Sequence, residues 1–351
     1  MQVERAPSRV CLFGEHQDYL GLPVIAQAID LYFEIKATPR DDTIFHIEKP
    51  DTGEVEEFDP TKPIKYTKRR DYLKAAVKVL KRDLTVKFDK GYNFVLHSDI
   101  PIGAGCGSSS AMLVAWIRLL LKLTDSPFKE LPYHIARLAY KAEVIEFREP
   151  GGMMDHYTAA MGGLLFLDFR HYPVKTERLP KPVDGIVLVD TGERKDTLKV
   201  LREVRVITER GVKLLEKIDP KFKLQETSRE GIELQLKRLP KRVGDVIRLQ
   251  LCNRDITLKA YEMLKSGSWK PTELGELLTQ HHHNLRDMGV STRTIDELLE
   301  LALSHGALGG KLNGSGGGGT FFVYAPGKEE EIAELMREKG VSSYIVNPAV
   351  D

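Results

Sequence analysis

Short runs rich in β-branched, aromatic and other apolar residues fall at 9–13, 29–37, 43–48 and 92–97, divided by Gly, Pro and Asp, and this pattern predicts strands. Between 72 and 84 the apolar positions return every three or four residues instead, which predicts an amphipathic helix. An apolar helical run begins at Ala111, further helices are predicted at 131–147 and 154–161, and a strand at 163–169. A Pro- and Lys-rich connector at 172–182 marks the predicted domain boundary. Beyond it come a buried strand at 185–190, long charged helices at 196–218 and 242–265, and shorter ones at 273–286 and 294–304. A strand at 310–313, a glycine run at 314–319, a strand at 320–324, a helix at 329–339 and a strand at 343–346 follow. Strands and helices mix irregularly in both halves, so the expected class is α+β, with domains at 1–180 and 181–351.

Composition narrows the function classes. The 351 residues are 42% hydrophobic and 29% charged, which suits a globular chain of two domains. Lys+Arg 52 against Asp+Glu 51 leaves no strong field to recruit nucleic acid or an anionic membrane. Cys11, Cys106 and Cys252 lie far apart without C-x-x-C spacing and read as reduced thiols. No signal-peptide core and no apolar run of spanning length is present, so a cytoplasmic protein is expected.

Four segments carry candidate chemistry. The run Pro101 to Ser110 alternates glycines with small residues, then presents Ser108, Ser109 and Ser110 before the apolar helix. A glycine-rich turn opening a helix offers unpaired N–H groups and the positive dipole end to an anion, although the Walker lysine is absent. Arg9, Glu15, His16 and Asp18 cluster at the end of an apolar strand, where ionised carboxylates can accept bonds from hydroxyl groups. Asp155 opens a short helix after a Pro-Gly-Gly turn, a position that also favours a capping residue. The glycines at 314–319 are too dense for a simple hairpin, and close backbone approach to phosphate would compensate their entropy cost. His281, His282 and His283 are consecutive; on a helix they splay about 100° apart and do not converge on one ion. The turn at 190–197 after the first C-terminal strand reads as exposed; the alternative is that it closes over the site and supplies a base through Arg194 or Lys195.

In this order and spacing, residues 6–19, 101–111 and 311–319 resemble the three motifs of the GHMP kinase superfamily, named for galactokinase, homoserine kinase, mevalonate kinase and phosphomevalonate kinase. Gly14-Glu15-His16-x-Asp18-Tyr19 and Gly152-Met153-Met154-Asp155 are most similar to galactokinase and related sugar kinases. Cys11, Leu20-Gly21-Leu22, Gly151 and His156 depart from that pattern, and Lys311 to Gly319 is closer to the mevalonate-kinase version.

The resemblance implies a two-domain α+β fold with the active site in the cleft between domains, ATP as co-substrate and Mg²⁺. It implies a triphosphate site at Pro101, Gly103, Ala104, Gly105, Cys106, Gly107, Ser108, Ser109 and Ser110, with Gly316 and Gly317. Ser109 and Glu143 become metal ligands, Asp155 and Arg9 catalytic residues, and Glu15, His16, Asp18 and Gly152 the acceptor site. Two carboxylates in that acceptor site disfavour an anionic substrate. The expected activity is ATP-dependent phosphorylation of a neutral monosaccharide, at the anomeric hydroxyl, by a monomer or homodimer. A non-sugar alcohol such as mevalonate and a non-catalytic sugar sensor are the alternatives, and the intact Arg9, Ser109, Glu143 and Asp155 set speaks against the sensor.

Overall fold

A computed structural model describes residues 1–101, 105–193 and 197–349. The first half runs β1 (Gln2–Phe13), β2 (Val24–Pro39), β3 (Phe45–Lys49), β4 (Glu54–Phe58), α1 (Tyr72–Leu84), β5 (Tyr92–Ser98), α2 (Ser108–Leu123), α3 (Pro132–Tyr140), α4 (Met154–Met161), β6 (Leu164–Asp168) and β7 (Lys175–Arg178). The second runs β8 (Ile186–Asp190), α5 (Thr197–Ile218), α6 (Glu233–Leu236), α7 (Lys241–Lys265), α8 (Pro271–Asp287), α9 (Arg293–Ser304), β9 (Gly309–Leu312), β10 (Thr320–Tyr324), α10 (Glu329–Glu338) and β11 (Ser342–Val346).

Seven strands form one sheet, ordered β4-β3-β5-β2-β6-β7, with β1 also on β2. The sixteen residues of β2 make this possible: β1 lies along one edge, while β5 and β6 divide the other between residues 33–39 and 24–27. Register shifts at Pro7/Ser8 and Cys11/Phe13 bend β1, and Pro7 is tolerated at the first of them because a bulge relieves a strand of its missing N–H. The second sheet is four antiparallel strands in the order β11-β8-β10-β9.

The core crosses between the halves. Trp116 of α2 packs edge-on against Phe45 and Phe94, and its indole N–H donates to the Leu73 carbonyl at 3.1 Å. Leu188 and Phe322 of the second sheet belong to that same apolar cluster. Phe321, on the opposite face, packs with Val187, Leu299 and Met336. The alternation of a strand explains why adjacent phenylalanines serve two cores. No helix among the described residues is long and apolar enough to cross a membrane.

Several expectations are corrected. The predicted helix at 131–147 ends as α3 at Tyr140 and passes into one wide turn, Lys141–Ile145, that carries Glu143. The connector at 172–182 contains β7, which pairs with β6 and so completes the first sheet. Val24 to Ala28 extends β2 five residues ahead of the predicted start, and β4 was not predicted at all. α2 starts at Ser108, so the three serines form its first turn. The segment after β11 returns to the first sheet, where Asp30 N–H donates to the Asn347 carbonyl at 3.0 Å. We propose that the limits 1–180 and 181–351 follow the two sheets, with packing shared between them.

Candidate active site

Arg9 projects from β1 beneath the glycine-rich loop and engages Asp155 in the first turn of α4. Its Nε and Nη2 donate to Oδ1 and Oδ2 of Asp155 at 2.7 and 2.9 Å, and Nη1 donates to the Gly105 carbonyl at 2.8 Å. A planar guanidinium suits this bidentate contact. Burial works against the Arg9 charge, but the Asp155 carboxylate outweighs it and holds the group above its ordinary pKa. Arg9 is 4% exposed and Asp155 26%, so the carboxylate still opens to the cavity.

Behind this pair stands the N-terminus of α2. Gly107 takes a left-handed conformation (φ 75°), and Ala111 is the first residue to bond back, to the Gly107 carbonyl at 2.9 Å. The N–H groups of Ser108, Ser109 and Ser110 have no carbonyl partner among the described residues, and no side chain caps the helix. The Ser109 and Ser110 hydroxyls donate to Oε1 and Oε2 of Glu143 at 2.5 and 2.8 Å. His156 Nε2 lies 2.7 Å from Oε2. Burial alone would raise the Glu143 pKa, yet His156 and the two serines outweigh it and hold the carboxyl below its ordinary value. Ser109 and Glu143 therefore offer a hard-oxygen pair of the kind Mg²⁺ accepts alongside phosphate and water. Among the described residues no cluster of three or more His, Cys, Asp or Glu side chains could hold a metal, the three histidines of α8 included.

The expected acceptor residues separate into two kinds. Asp18 accepts from the Tyr19 and Met154 N–H groups at 2.9 and 3.0 Å, one on each oxygen, and keeps lone pairs toward the cavity. Burial raises its pKa, with Asp155 adding to the effect against those two N–H bonds. Gly152 faces it, and a Cβ there would come within 1.9 Å of Asp18 Oδ2; this glycine makes room for a carboxylate.

His16 departs from expectation, because both ring nitrogens are spent within the protein. Nε2 meets the Ser315 carbonyl at 2.9 Å and so carries the proton, leaving Nδ1 to accept from the Tyr19 hydroxyl at 2.8 Å. Glu15 is 1% exposed, and Oε1 is taken by Lys311. Burial raises its pKa despite the opposing Lys311 charge.

The glycine run at 314–319 also differs from its expected role. A Cβ on Gly314 would meet the Gly105 carbonyl at 2.5 Å, and one on Gly316 the Val290 carbonyl at 2.2 Å. Gly317 N–H donates to Val290 at 2.7 Å and Gly319 N–H to Glu193 at 3.1 Å. These glycines admit other backbone, and the Gly317 N–H is already consumed, so close approach is explained without phosphate. Asn313 ties the motifs together: its Oδ1 accepts from Cys11 N–H at 3.0 Å, and its Nδ2 reaches Cys106 Sγ at 3.8 Å.

A cavity of about 420 Å³ brings Arg9, Asp18, Gly105, Ser109, Glu143 and Asp155 together, with Glu15, His16 and Gly152 at its border. Pro101 and Cys106 to Ser110 line it too, while Gly316 and Gly317 do not. Gly103 and Ala104 of the loop, and Arg194 and Lys195, lie outside the described residues. Sequence reasoning missed Lys311 as a partner of Glu15, and it missed Arg70, whose Nε donates to Glu149 at 2.7 Å on the cavity wall. The lysine stood in a quoted motif; only its partner, 296 positions away, was invisible.

Comparisons with known proteins identify the family. The GHMP kinases N terminal domain matches residues 71–163, the GHMP kinases C terminal domain matches 270–342, and the galactokinase galactose-binding signature matches 2–39. Mevalonate kinase of Pyrococcus abyssi is 31% identical, over 95% of this chain and 92% of its own. Galactokinase of Chloroflexus aggregans is 29% identical, over 95% of this chain and 87% of its own. The structure of Lactococcus lactis galactokinase complexed with galactose superposes with a TM-score of 0.87 at 22% identity, covering 99% of this chain and 94% of that one, which shows the shared fold. The chain belongs to the GHMP kinase family and is an ATP-dependent kinase acting on an alcohol.

Proposed function

We propose that the protein phosphorylates a hydroxyl of a neutral monosaccharide, at the anomeric position. The pairing of charges around the cavity carries this reading. Among the described residues, Arg9 and Arg70 on the cavity wall are each ion-paired, to Asp155 and Glu149. Asp18 meanwhile keeps acceptor capacity for hydroxyls. Among the described residues that line the cavity, a carboxylate substrate would meet like charge at Asp18 and Asp155 and no spare cation, at a cost of several kcal/mol. A sugar hydroxyl supplies the donor that Asp18 lacks.

In this reading Asp155 orients the attacking hydroxyl. As the hydroxyl oxygen bonds to the γ-phosphorus, the bond from phosphorus to the bridging oxygen breaks, ADP departs, and the proton passes to Asp155. Arg9 has used three of its five N–H groups, so one each on Nη1 and Nη2 remains for phosphoryl oxygens. The bare N–H groups of Ser108 to Ser110 would face the phosphates at the positive end of α2. Mg²⁺ held by Ser109 and Glu143 would neutralise charge on the triphosphate.

The mevalonate reading is favoured by two observations, the Lys311 to Gly319 motif and the Pyrococcus abyssi relative. A panel of monosaccharides and mevalonate, followed by ADP release and phosphorus NMR of the product, decides between them. Turnover of a sugar to its 1-phosphate is expected, and turnover confined to mevalonate overturns the proposal.

A further inference from the structure

The two oxygens of Glu143 do not share the same surroundings. Oε1 meets one donor, the hydroxyl of half-buried Ser109 at 2.5 Å on the cavity wall. Oε2 meets two, the Ser110 hydroxyl at 2.8 Å and His156 Nε2 at 2.7 Å. Both of those residues are buried, at 3% and 2% exposure. A carboxylate only accepts, so Nε2 carries the ring hydrogen. Two donors fill the lone pairs of Oε2, whereas Oε1 keeps one. His156 Nδ1 is buried and has no hydrogen-bond partner. That costs stability, and packing alone does not call for it: an apolar side chain would fill the space edge-on to Tyr140 without the penalty. Glu143 itself sits in the wide turn Lys141–Ile145, which interrupts regular helix at the residue that must reach both α2 and α4.

We propose that His156, with Ser110, closes Oε2 of Glu143 so that Oε1 alone is offered to the cation, and that this makes the site select Mg²⁺ over Ca²⁺. This rests on the Ser109–Glu143 metal pair proposed above. Mg²⁺ takes near-octahedral oxygen shells, and the two oxygens of one carboxylate subtend far less than the right angle such a shell needs. Ca²⁺ has a larger, flexible shell that accepts a carboxylate through both oxygens. A Glu143 held at Oε2 by two donors binds through one oxygen only, which suits Mg²⁺ and denies Ca²⁺ its chelate. His156 acts through the carboxylate and is a positioning residue. Removing its N–H frees a lone pair on Oε2 and lets the carboxylate turn.

The test measures the Kd of a non-hydrolysable ATP analogue by calorimetry, in saturating Mg²⁺ and in saturating Ca²⁺, so that no turnover enters the reading. The wild type is expected to bind more tightly with Mg²⁺. In His156→Leu, which fills the space without the donor, the preference falls about tenfold, the size seen when the partner of a metal ligand is lost. His156→Gln, whose amide can donate to Oε2, keeps most of it. Ser110→Ala removes the other donor and lowers the preference in the same direction, and it decides the question should His156→Leu fail to fold. Equal weakening with both cations, a glutamine no better than leucine, or a wild type without preference overturns the proposal. Failure of the metal pair itself reads differently: Glu143→Gln then leaves the Mg²⁺ titration where it was. A Glu143→Gln that shifts that titration, with the cation preference unmoved in His156→Leu and Ser110→Ala, sinks the selectivity role alone.

Discussion

The two glycine-rich segments, 101–110 and 314–319, are alike in composition and differ in where their backbone N–H groups go. In the first, the N–H groups of Ser108, Ser109 and Ser110 have no carbonyl partners among the described residues at the N-terminal end of α2. In the second, Gly317 and Gly319 donate to Val290 and Glu193, and the space a side chain would need is filled by the Gly105 and Val290 carbonyls. The first segment leaves helix N–H groups that a bound anion would satisfy; the second holds the protein to itself. Glycine content alone does not separate a ligand cradle from a packing joint, but the fate of the N–H groups does.

The largest effect expected on either side of this contrast is at Asp155, which links the first loop to Arg9. Asp155→Asn should cut turnover about 10²–10⁴-fold with nucleotide affinity nearly intact, as loss of a positioned acid–base group does. Wild-type turnover in that variant removes Asp155 from the mechanism. The two loops can then be set against each other by adding one methyl group to each. Gly316→Ala forces a Cβ to within 2.2 Å of the Val290 carbonyl at φ 79°, and should destabilise the fold by about 3 kcal/mol in chemical denaturation. Gly107→Ala first meets the Asp155 side chain, at 3.3 Å and φ 75°, and should cost about 1 kcal/mol of stability while depressing turnover more strongly. Equal stability losses would erase the distinction.

Glu143→Gln should weaken Mg²⁺ dependence next, raising the half-saturating concentration by about tenfold or more, the size seen when metal-site groups are altered. An unchanged magnesium titration, read by nucleotide-binding calorimetry as well as turnover, argues against ligation by the Ser109–Glu143 pair.

How far this division was readable beforehand depends on the range of the forces involved. The helices at Tyr72–Leu84 and Met154–Met161 were predicted to the residue, because local apolar spacing dictates them. The strands Glu54–Phe58 and Lys175–Arg178 were missed, since their sequences are mostly polar and only the ladders to β3 and β6 make them strands. At the site, Arg9 and Asp155 stand 146 positions apart, and resemblance to a family brought them together where no local pattern could. Glu15 and His16 were legible as candidates, but their bracing was not. Their partners, Lys311 and Ser315, arrive only when β9 folds against β1.

Acid should loosen the second segment before the first, and His282 is the reason. Its Nδ1 accepts from Leu312 N–H at 3.2 Å and its Nε2 faces Asp296 at 3.1 Å, so the neutral ring is the form that supports the strand entering the glycine run. Burial, with Lys311 nearby, lowers its pKa to about 4 although Asp296 opposes the shift. In the unfolded chain a histidine titrates near about 6.5, so between these values the unfolded state binds the extra proton and stability falls as pH falls. One such group contributes a slope of at most about 1.4 kcal/mol per pH unit. Glu143, whose pKa is depressed, is lost only below the ordinary carboxyl range, and Glu15 and Asp18, whose pKa values burial raises, act with the opposite sign, so the histidine is read from the difference between wild type and its variant between about 5 and 6. His282→Asn, which can keep the bond to Leu312, should flatten the stability–pH slope there and delay amide exchange at residues 312–319 relative to wild type at pH 5. An unchanged slope would place the acid sensitivity at His281 instead, whose pKa burial also holds well below the ordinary value and which bonds no backbone of the third motif. The glycine run would then be held by packing against Val290 rather than by a titratable strut.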